Sequence, residues 1–378
     1  MYYNIMDPHI QFNSDDNDTL LFTLYGVNVS LANAIRRTIL SDINQIVFKT
    51  TPYEENKSNF IKNTTRQNNE VLKQRLSCIP IHIKDYENFP IKNYIVEVNV
   101  ENITDVPIYV TTKDFIINDV VSGKPLSETA IREVFPPNDY TGQYIDFVRL
   151  RPRVSDELPG DKIHFTCELS VGNANDDSMF NVVSTCAYGY TVDDIARDAL
   201  LEKKKQEWKN ENKSKEDIEF ESENWKLLDG MRVTKPDSFD FTIQSVGVYT
   251  NNEILDISCQ ILIDKLDQID TLIEKDELKI NNSVNTMQNS YDIILENEDY
   301  TIGKVIEYFL YVKFYETKIL TFCGFKKEHP HDNFSIIRVA YLDAVEKSTI
   351  KGHFKECIEL AKQVFSRIKK DFLKLLKK

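Results

Sequence analysis

Residues 28–43 read NVSLANAIRRTILSDI and have the pattern of a two-sided helix. Ser30 is suited to cap its start, because serine favours the N-cap position. At about 100° per residue, one side of the helix is apolar and needs a sheet or a core beneath it. That side carries Leu31, Ala34, Ile35, Thr38 and Ile39. The opposite side indicates docking of a specific polar partner, and it carries Asn33, Arg36, Arg37 and Leu40.

The helix belongs to a unit that occurs twice in the chain. Residues 19–25, TLLFTLY, are typical of a strand, and the turn that follows leads into the helix. Residues 291–296, YDIILE, predict a second such strand, which an acidic turn joins to a helix capped by Thr301. With Thr301 placed on Ser30, apolar positions coincide without a gap: Leu31 with Ile302, Ala34 with Val305, Ile35 with Ile306 and Ile39 with Leu310.

This repeat predicts an α+β fold in which two related units pair about a pseudo-two-fold axis. Such an internal pseudo-dimer buries helix faces that neither unit can cover alone. We assign residues 1–85 and 236–280 to the first unit and residues 86–235 to a β-rich domain inserted in it. Residues 281–290 are predicted to be a linker, and residues 291–378 the second unit.

Short alternating segments between prolines and glycines indicate the strands of the inserted domain. They are predicted at residues 94–100, 108–115, 144–150, 163–171 and 180–188. The polar residues 54–69 predict a loop. The charged residues 193–230 predict a solvated helix and a loose connector, with a contact arm for a partner as the alternative. Long helices are expected over residues 252–277 and 353–376.

Composition limits the class of protein. The 378 residues suggest two or three domains, and a net charge of -14 argues against broad contact with nucleic-acid phosphates. No basic leader and no long apolar run is present, which predicts a protein that is neither secreted nor inserted in a membrane. Six widely spaced cysteines without a CxxC pair predict reduced thiols, an intracellular location and no zinc ribbon.

Three further features could have either a function or a purely structural role. His329-Pro330-His331 could bind a metal, but a turn is favoured because no acidic or cysteine companions lie near it in sequence. Asp15, Asp16 and Asp18 lack the spacing of a calcium loop and are interpreted as solvated. The many basic residues of the closing helix could face an acidic partner or nucleic acid. Alternatively, they are favoured by the helix dipole alone, which stabilises lysines near the carboxyl end of a helix.

No motif for catalysis is found. The chain has no GxSxG, no Walker loop, no HExxH and no acidic triad of the metal-binding kind. We therefore predict that it is not an enzyme by itself and that it has no catalytic residue, no cofactor and no metal site.

Five motifs in order resemble the alpha-like platform subunits of cellular RNA polymerases. ANAIRRTIL is similar to the family's helix, and EDYTIGKVIEYFL and GFKKEHPHDNFSIIRV to its small partner subunit. NTTRQNNEVLKQRLSCIP and LPGDKIHFTCELSVGNANDDSMF resemble segments of the larger subunit. A single chain with both subunits resembles the fused form of some large cytoplasmic DNA viruses.

The resemblance implies a non-catalytic platform that assembles a DNA-directed RNA polymerase. Its expected partners are the second-largest and largest subunits and the small zinc-binding adaptor subunits, with DNA contacted only through the complex and no homodimer formed. A viral source would place the protein in the host cytoplasm, and packaging in the virus particle stays open. The alternative function is a free-standing protein-interaction scaffold with the same fold.

The resemblance also implies roles for particular residues. Asn33, Arg36 and Arg37 should face the second-largest subunit, where arginine can make two-pronged contacts with carboxylates. The internal dimer-like interface is assigned to Leu31, Ile35 and Ile39 of the first unit and Ile302, Ile306 and Phe309 of the second. Some relatives hold a zinc ion or an iron-sulfur cluster on clustered cysteines of the inserted domain. This sequence lacks such a cluster, which agrees with the absence of a predicted metal site.

Overall fold

Helices and strands are mixed along the chain in the computed structural model, which describes residues 6–16, 19–153, 155, 157, 159–284 and 287–375. The α+β fold class predicted from the sequence is confirmed. The helices are α1 (Val29–Ser41), α2 (Asn69–Ser77), α3 (Glu128–Val134), α4 (Asp194–Asn210), α5 (Lys215–Leu227), α6 (Asn251–Glu274), α7 (Tyr300–Leu310) and α8 (Lys347–Leu375).

The strands up to the charged hairpin are β1 (His9–Asp16), β2 (Thr19–Tyr25), β3 (Gln45–Val47), β4 (Ser58–Asn63), β5 (Tyr94–Glu101), β6 (Ile108–Thr111), β7 (Ile116–Asp119), β8 (Lys124–Pro125), β9 (Asp146–Leu150), β10 (Lys162–Glu168), β11 (Ser170–Gly172) and β12 (Val183–Val192). Those that follow are β13 (Thr234–Ser245), β14 (Ile280–Asn282), β15 (Ser290–Glu296), β16 (Leu320–Lys326) and β17 (Phe334–Tyr341).

The chain divides into two units. Unit 1 comprises Met1–Thr38, Thr185–Gln244 and Leu255–Lys378, and unit 2 comprises Ile39–Ser184 and Ser245–Ile254. The sequence-based boundaries of the inserted domain, residues 86 and 235, differ from these, because most of β12 and the two helices after it belong to unit 1. The predicted domain boundaries stay a prediction.

Unit 1 contains two four-stranded sheets with the same strand order. One sheet has the order β1-β2-β13-β12 and the other β14-β15-β17-β16. In each sheet the second strand in this order is followed along the chain by a helix, α1 or α7, and the third by a longer helix, α6 or α8. The repeat seen in the sequence therefore extends to the topology of both sheets.

The two repeats also agree residue by residue at their starts. The displacement that places Ser30 on Thr301 also places Thr19 on Ser290 and Tyr25 on Glu296, the ends of β2 and β15. The caps correspond as well, but the predicted cap residues are wrong. The side chains of Asn28 and Asp299 accept hydrogen bonds from the backbone N–H of Ser30 (2.9 Å) and Thr301 (2.8 Å), so each helix starts two residues earlier than predicted.

Aromatic rings join the first sheet to the closing helix of the second repeat. Phe22 of β2 stacks on Phe241 of β13 with ring centres 5.0 Å apart, and Phe372 of α8 lies 6.0 Å from Phe22. All three side chains are almost completely buried. Residues far apart in the sequence therefore share one core in unit 1.

Unit 2 is built on a five-stranded sheet of order β4-β10-β5-β7-β8. Its core contains Phe48, Phe115, Phe135, Phe147 and Phe165, each exposed by 2% or less. The predicted loop over residues 54–69 is wrong, because it includes β4. This strand lies at the sheet edge, where backbone bonds to β10 hold a segment whose side chains are mostly polar.

Three predicted segments in unit 1 have different bounds. The connector predicted within residues 193–230 is wrong: the segment forms the hairpin of α4 and α5, and Ser214 and Asp217 make a capping box at the start of α5. The predicted linker overlaps β14, which pairs with β15. Helix α8 begins before residue 353 and includes Gly352, because Ile350 and Phe354 on either side are buried.

Some predictions fall on residues that are not described. Asp18 and the side chain of Asp16 in the acidic amino-terminal cluster lie outside the described residues, as do Lys377 and Lys378 of the basic helix and Asn285 and Thr286 of the linker. In the described ranges, no helix is long and apolar enough to cross a membrane.

Replacing Ile306 by aspartate should lower the free energy of unfolding by more than about 4 kcal/mol, because the charge would have no partner at a fully buried position of α7. The matched change Ile306→Val should cost about 1 kcal/mol. Urea unfolding of both variants measures the difference. An aspartate variant as stable as the original chain would contradict the burial of this helix face.

Candidate partner-docking interface

Helix α1 separates apolar from polar side chains as the sequence predicts. Leu31, Ala34, Ile35 and Ile39 are exposed by 1% or less. Asn33, Arg36, Arg37 and Leu40 on the other side are half-buried. This exposure leaves the polar side accessible, while neighbouring elements restrict its side chains.

Arg36 has most of its hydrogen-bonding capacity free. Its Nε donates to Oδ1 of Asn33 at 3.0 Å, and it forms no ion pair with any residue that the structure describes. Burial raises the pKa of Tyr188 on β12, and the positive charge of Arg36 partly offsets this increase. The outer nitrogens of a guanidinium can bind a carboxylate in a two-pronged arrangement, so Arg36 is suited to an acidic partner group.

Arg37 is engaged inside the chain. Its Nε donates to the hydroxyl of Thr301 at 2.9 Å, and its outer nitrogen forms an ion pair with Asp299. Burial opposes ionisation of Asp299, but bonds from Thr301 and the charge of Arg37 hold the pKa of this carboxyl below its usual value. Asp299 therefore caps α7 and joins it to α1.

A groove of about 440 Å³ lies beside Asn33. It is lined by Val29, Ser30, Asn33, Tyr188, Lys304, Glu307, Tyr308, Tyr311 and Cys323. Next to the groove, α7 packs closely on β16 at Gly303, where a β-carbon would meet the ring of Phe325 at 2.0 Å. Glu307 is fixed by the backbone N–H of Phe325, which donates to its carboxylate at 3.0 Å.

The groove residues on α7 were missed by the sequence analysis. The displacement that relates the two repeats places Asn33 on Lys304, Arg36 on Glu307 and Arg37 on Tyr308. Applying the repeat to the polar side of the helix would have found them. The equivalent positions differ in chemistry, so the two repeats present different polar groups.

The six residues predicted for the internal interface are all buried. Five of them are exposed by 1% or less and Phe309 by 7%; the five are Leu31, Ile35, Ile39, Ile302 and Ile306. Contacts between the repeats in unit 1 include those of Arg37 with Asp299 and of Phe372 with Phe22.

The basic helix α8 has partners that the sequence did not indicate. Four of its lysines bind side chains on or just after α6. The sequence offered two explanations for these lysines, an acidic partner or nucleic acid on the one hand and the helix dipole on the other. Neither explanation includes contacts with α6. The acidic partners lie between 75 positions earlier, for Lys351 and Asp276, and 113 positions earlier, for Lys369 and Asp256, so no local pattern connects the two segments.

The His329-Pro330-His331 segment is a turn, as favoured from the sequence. The backbone N–H of His329 donates to Asp332 at 3.0 Å, and that of His331 donates to Nδ1 of His329 at 3.2 Å. No group of three or more histidine, cysteine, aspartate or glutamate residues in the described part of the chain is arranged to hold a metal ion.

Comparison with known proteins defines the family. Residues 21–266 match the RNA polymerase Rpb3/Rpb11 dimerisation domain. A relative from Dictyostelium discoideum, DNA-directed RNA polymerases I and III subunit rpac1, is 26% identical over 297 residues, which cover 69% of this chain and 81% of the relative. The chain belongs to the Rpb3/Rpb11 dimerisation domain family. The predicted resemblance is confirmed at this level.

The ion pair between Arg37 and Asp299 should be measurable in a double-mutant cycle of Arg37→Gln and Asp299→Asn. Asparagine keeps the cap of α7 but removes the charge. Because the side chains are 35% and 36% exposed, we expect a coupling energy of only about 0.5–1 kcal/mol at neutral pH, from urea unfolding.

The same cycle should depend on pH in a defined direction. The pKa of Asp299 is lowered on folding, so the stabilisation is present above the unfolded pKa and is lost as the pH falls through the folded value. The coupling should therefore disappear in acid. A coupling energy of zero at neutral pH, or one that persists in acid, would show that the pair is not formed in solution.

Proposed function

We propose that this chain is the assembly platform of a DNA-directed RNA polymerase, with a larger alpha-like subunit and its small partner fused in one polypeptide. The observation that carries the proposal is the second four-stranded sheet, which repeats the strand order of the first. The family match ends at residue 266, before this second sheet begins. In this proposal residues 280–375, from β14 to α8, take the part of the small partner, and the two repeats form an internal pseudo-dimer.

Fusion has a physical advantage for such a platform. It replaces association of two chains by an intramolecular step at high effective concentration, and it fixes the ratio of the two parts at one to one. The apolar sides of α1 and α7 are then covered within one chain, which leaves no requirement for a homodimer.

We infer that α1 docks the second-largest polymerase subunit through Asn33, Arg36 and Arg37. Arg36 supplies the free guanidinium for an acidic group of that subunit, and Asn33 orients it through the bond to Nε. Arg37 contributes by fixing α1 to the cap of α7. This division gives the three residues different functions in one interface.

The equivalent side of α7 is proposed to receive the largest subunit. Where α1 has Asn33 and Arg36, α7 has Lys304 and Glu307, which form an ion pair. Tyr308 and Tyr311 add aromatic surface to this side of α7. A face of this composition favours a different partner from that of α1, since aromatic residues are frequent anchors at interfaces. The small zinc-binding adaptor subunits would join the same complex.

In this proposal the chain has a structural function and catalysis belongs to the partner subunits. DNA would be contacted only through the assembled complex, in line with the net charge of -14. The fused arrangement also suggests a large cytoplasmic DNA virus as the source, with transcription in the host cytoplasm. That part of the proposal rests on the fusion alone.

Affinity purification of the tagged full chain tests the proposal. We expect the two largest polymerase subunits in equal amounts with the tagged chain, identified by mass spectrometry. Their absence would overturn it. Recovery of unrelated proteins would instead favour a free-standing scaffold.

Arg36→Glu should remove the second-largest subunit from the purified complex, because two like charges would then face each other in the interface. Thermal unfolding of the isolated variant should be nearly unchanged, since Arg36 has no ion pair in the described part of the chain. Arg132→Glu on the exposed side of α3 is the matched control and should retain the complex. Normal recovery with Arg36→Glu would contradict the docking assignment.

Cleavage between the repeats tests the pseudo-dimer. A protease site inserted after Glu277, an exposed residue between α6 and β14, should be cut without separating the two fragments on gel filtration. An inserted site of the same length that lacks the cleavage sequence is the control. Separate elution of folded fragments would contradict the pairing of the repeats.

A further inference from the structure

Four lysines lie along one side of α8. They are Lys351, Lys355, Lys362 and Lys369, spaced by four and seven residues, so they form one stripe on the helix. Lys355 contacts Glu274 at 2.6 Å, Lys362 contacts Asp267 at 2.9 Å, and Lys369 contacts Asp256 at 3.3 Å. Lys351 binds Asp276, just beyond α6.

As the residue numbers of the lysines increase along α8, the residue numbers of their partners decrease along α6. Helices α6 and α8 are therefore antiparallel, and the ion pairs follow one another in register. Asp270 strengthens the centre, since it lies 3.2 Å from Lys362 and 3.5 Å from Lys355. We name these contacts between the lysine stripe of α8 and the carboxylates of α6 the charge ladder.

Each lysine of the stripe meets a carboxylate on or just after α6, and Lys362 also pairs with Glu359 of its own helix at 3.2 Å. The contacting residues of α6 are carboxylates and the amide of Gln260, which accepts from Lys369 at 3.0 Å. The one lysine of α6, Lys265, instead lies 3.8 Å from Glu298. The acidic residues Glu356 and Asp371 of α8 pair with Lys313 and Lys374, which belong to the same repeat.

The ladder contributes little net stability by the usual magnitudes. Partly exposed ion pairs each contribute about 0–1 kcal/mol, whereas one buried apolar side chain contributes about 1.5–3 kcal/mol. Helix α8 buries Phe354, Ile358, Phe365 and Phe372. Apolar burial therefore stabilises the helix, but it does not distinguish one apolar partner from another.

Charge patterns distinguish partners mainly through the pairings that they penalise. Pairing α8 with a second α8 would bring two lysine stripes together, and pairing α6 with a second α6 would oppose carboxylates. Both repeats share one topology, so like-with-like pairing between two copies is the alternative that must be suppressed.

We propose that the charge ladder is a pairing code that makes the first repeat select the second repeat and reject a like repeat of another copy, which keeps the isolated chain monomeric. The inference rests on the proposed fused pseudo-dimer. It adds the rule by which the two halves recognise each other.

Refolding of full-chain variants at high protein concentration tests the code, with mass measured by light scattering. In a neutral variant the three lysines 355, 362 and 369 are replaced by glutamine, Asp256, Asp267 and Asp270 by asparagine, and Glu274 by glutamine. We expect a several-fold larger dimer fraction than for the original chain, while its monomers unfold at a similar temperature. The original chain refolded in about 1 M salt, where the screening length is about 3 Å, should behave similarly.

A second experiment exchanges the charges of the lysines of α8 and of their partners on α6. Replacing only the three lysines by glutamate should abolish the stable monomer. Adding Asp256→Lys, Asp267→Asn, Asp270→Lys and Glu274→Lys should restore it, because the code is then reversed but complementary. The matched control neutralises Lys304, Lys313 and Lys374, which pair within their own repeat, and should leave the mass unchanged.

The outcomes show whether the charge ladder selects the pairing partner or only stabilises the folded chain. Refolding of the neutral variant to monomer alone would overturn the proposal, as would its failure to fold or a charge-exchanged chain no better than the lysine-to-glutamate variant. None of these measurements depends on polymerase subunits. Failure of the proposed function would appear separately, as their absence from the affinity purification.

Discussion

The apolar sides of α1 and α7 must be kept from water, and unit 1 depends on this constraint. Leu31, Ile35, Ile302 and Ile306 are fully buried, although each repeat offers only one small sheet and two helices to cover them. At about 1.5–3 kcal/mol for each buried side chain, this burial exceeds the contribution of any single polar contact in the unit. The polar contacts therefore determine geometry more than stability.

Two adjacent arginines on one helix illustrate that division. Arg37 is satisfied by Thr301 and by the carboxylate that caps α7, so its charge is balanced inside the chain. Arg36 donates from Nε to the amide oxygen of Asn33 and forms no ion pair with a residue that the structure describes. The difference arises because neighbouring residues on a helix point about 100° apart. The Arg37 side chain reaches the second repeat, whereas the half-buried Arg36 side chain bonds only to Asn33 of its own helix among the described residues.

Sequence periodicity was sufficient to predict α1, β2 and their copies, because burial on one side imposes a regular spacing on apolar residues. It failed where stability comes from distant partners. β4 has few apolar residues and is held by backbone bonds to β10, and the lysines of α8 are paired with carboxylates of α6. The caps were misassigned by two residues because asparagine, aspartate, serine and threonine all suit that position and lie close together in both turns.

The interrupted first repeat determines the order in which its sheet can be completed during synthesis. Phe22 of β2 pairs with Phe241 of β13, and the whole of unit 2 up to residue 184 is made between them. The second repeat is continuous from β14 to α8. On the ribosome, β1, β2 and α1 emerge first, and β2 lacks its second neighbour, β13, while residues 42–233 are added. The native contacts of the last helix, including Phe372 with Phe22, can form only after nearly the whole chain has been translated.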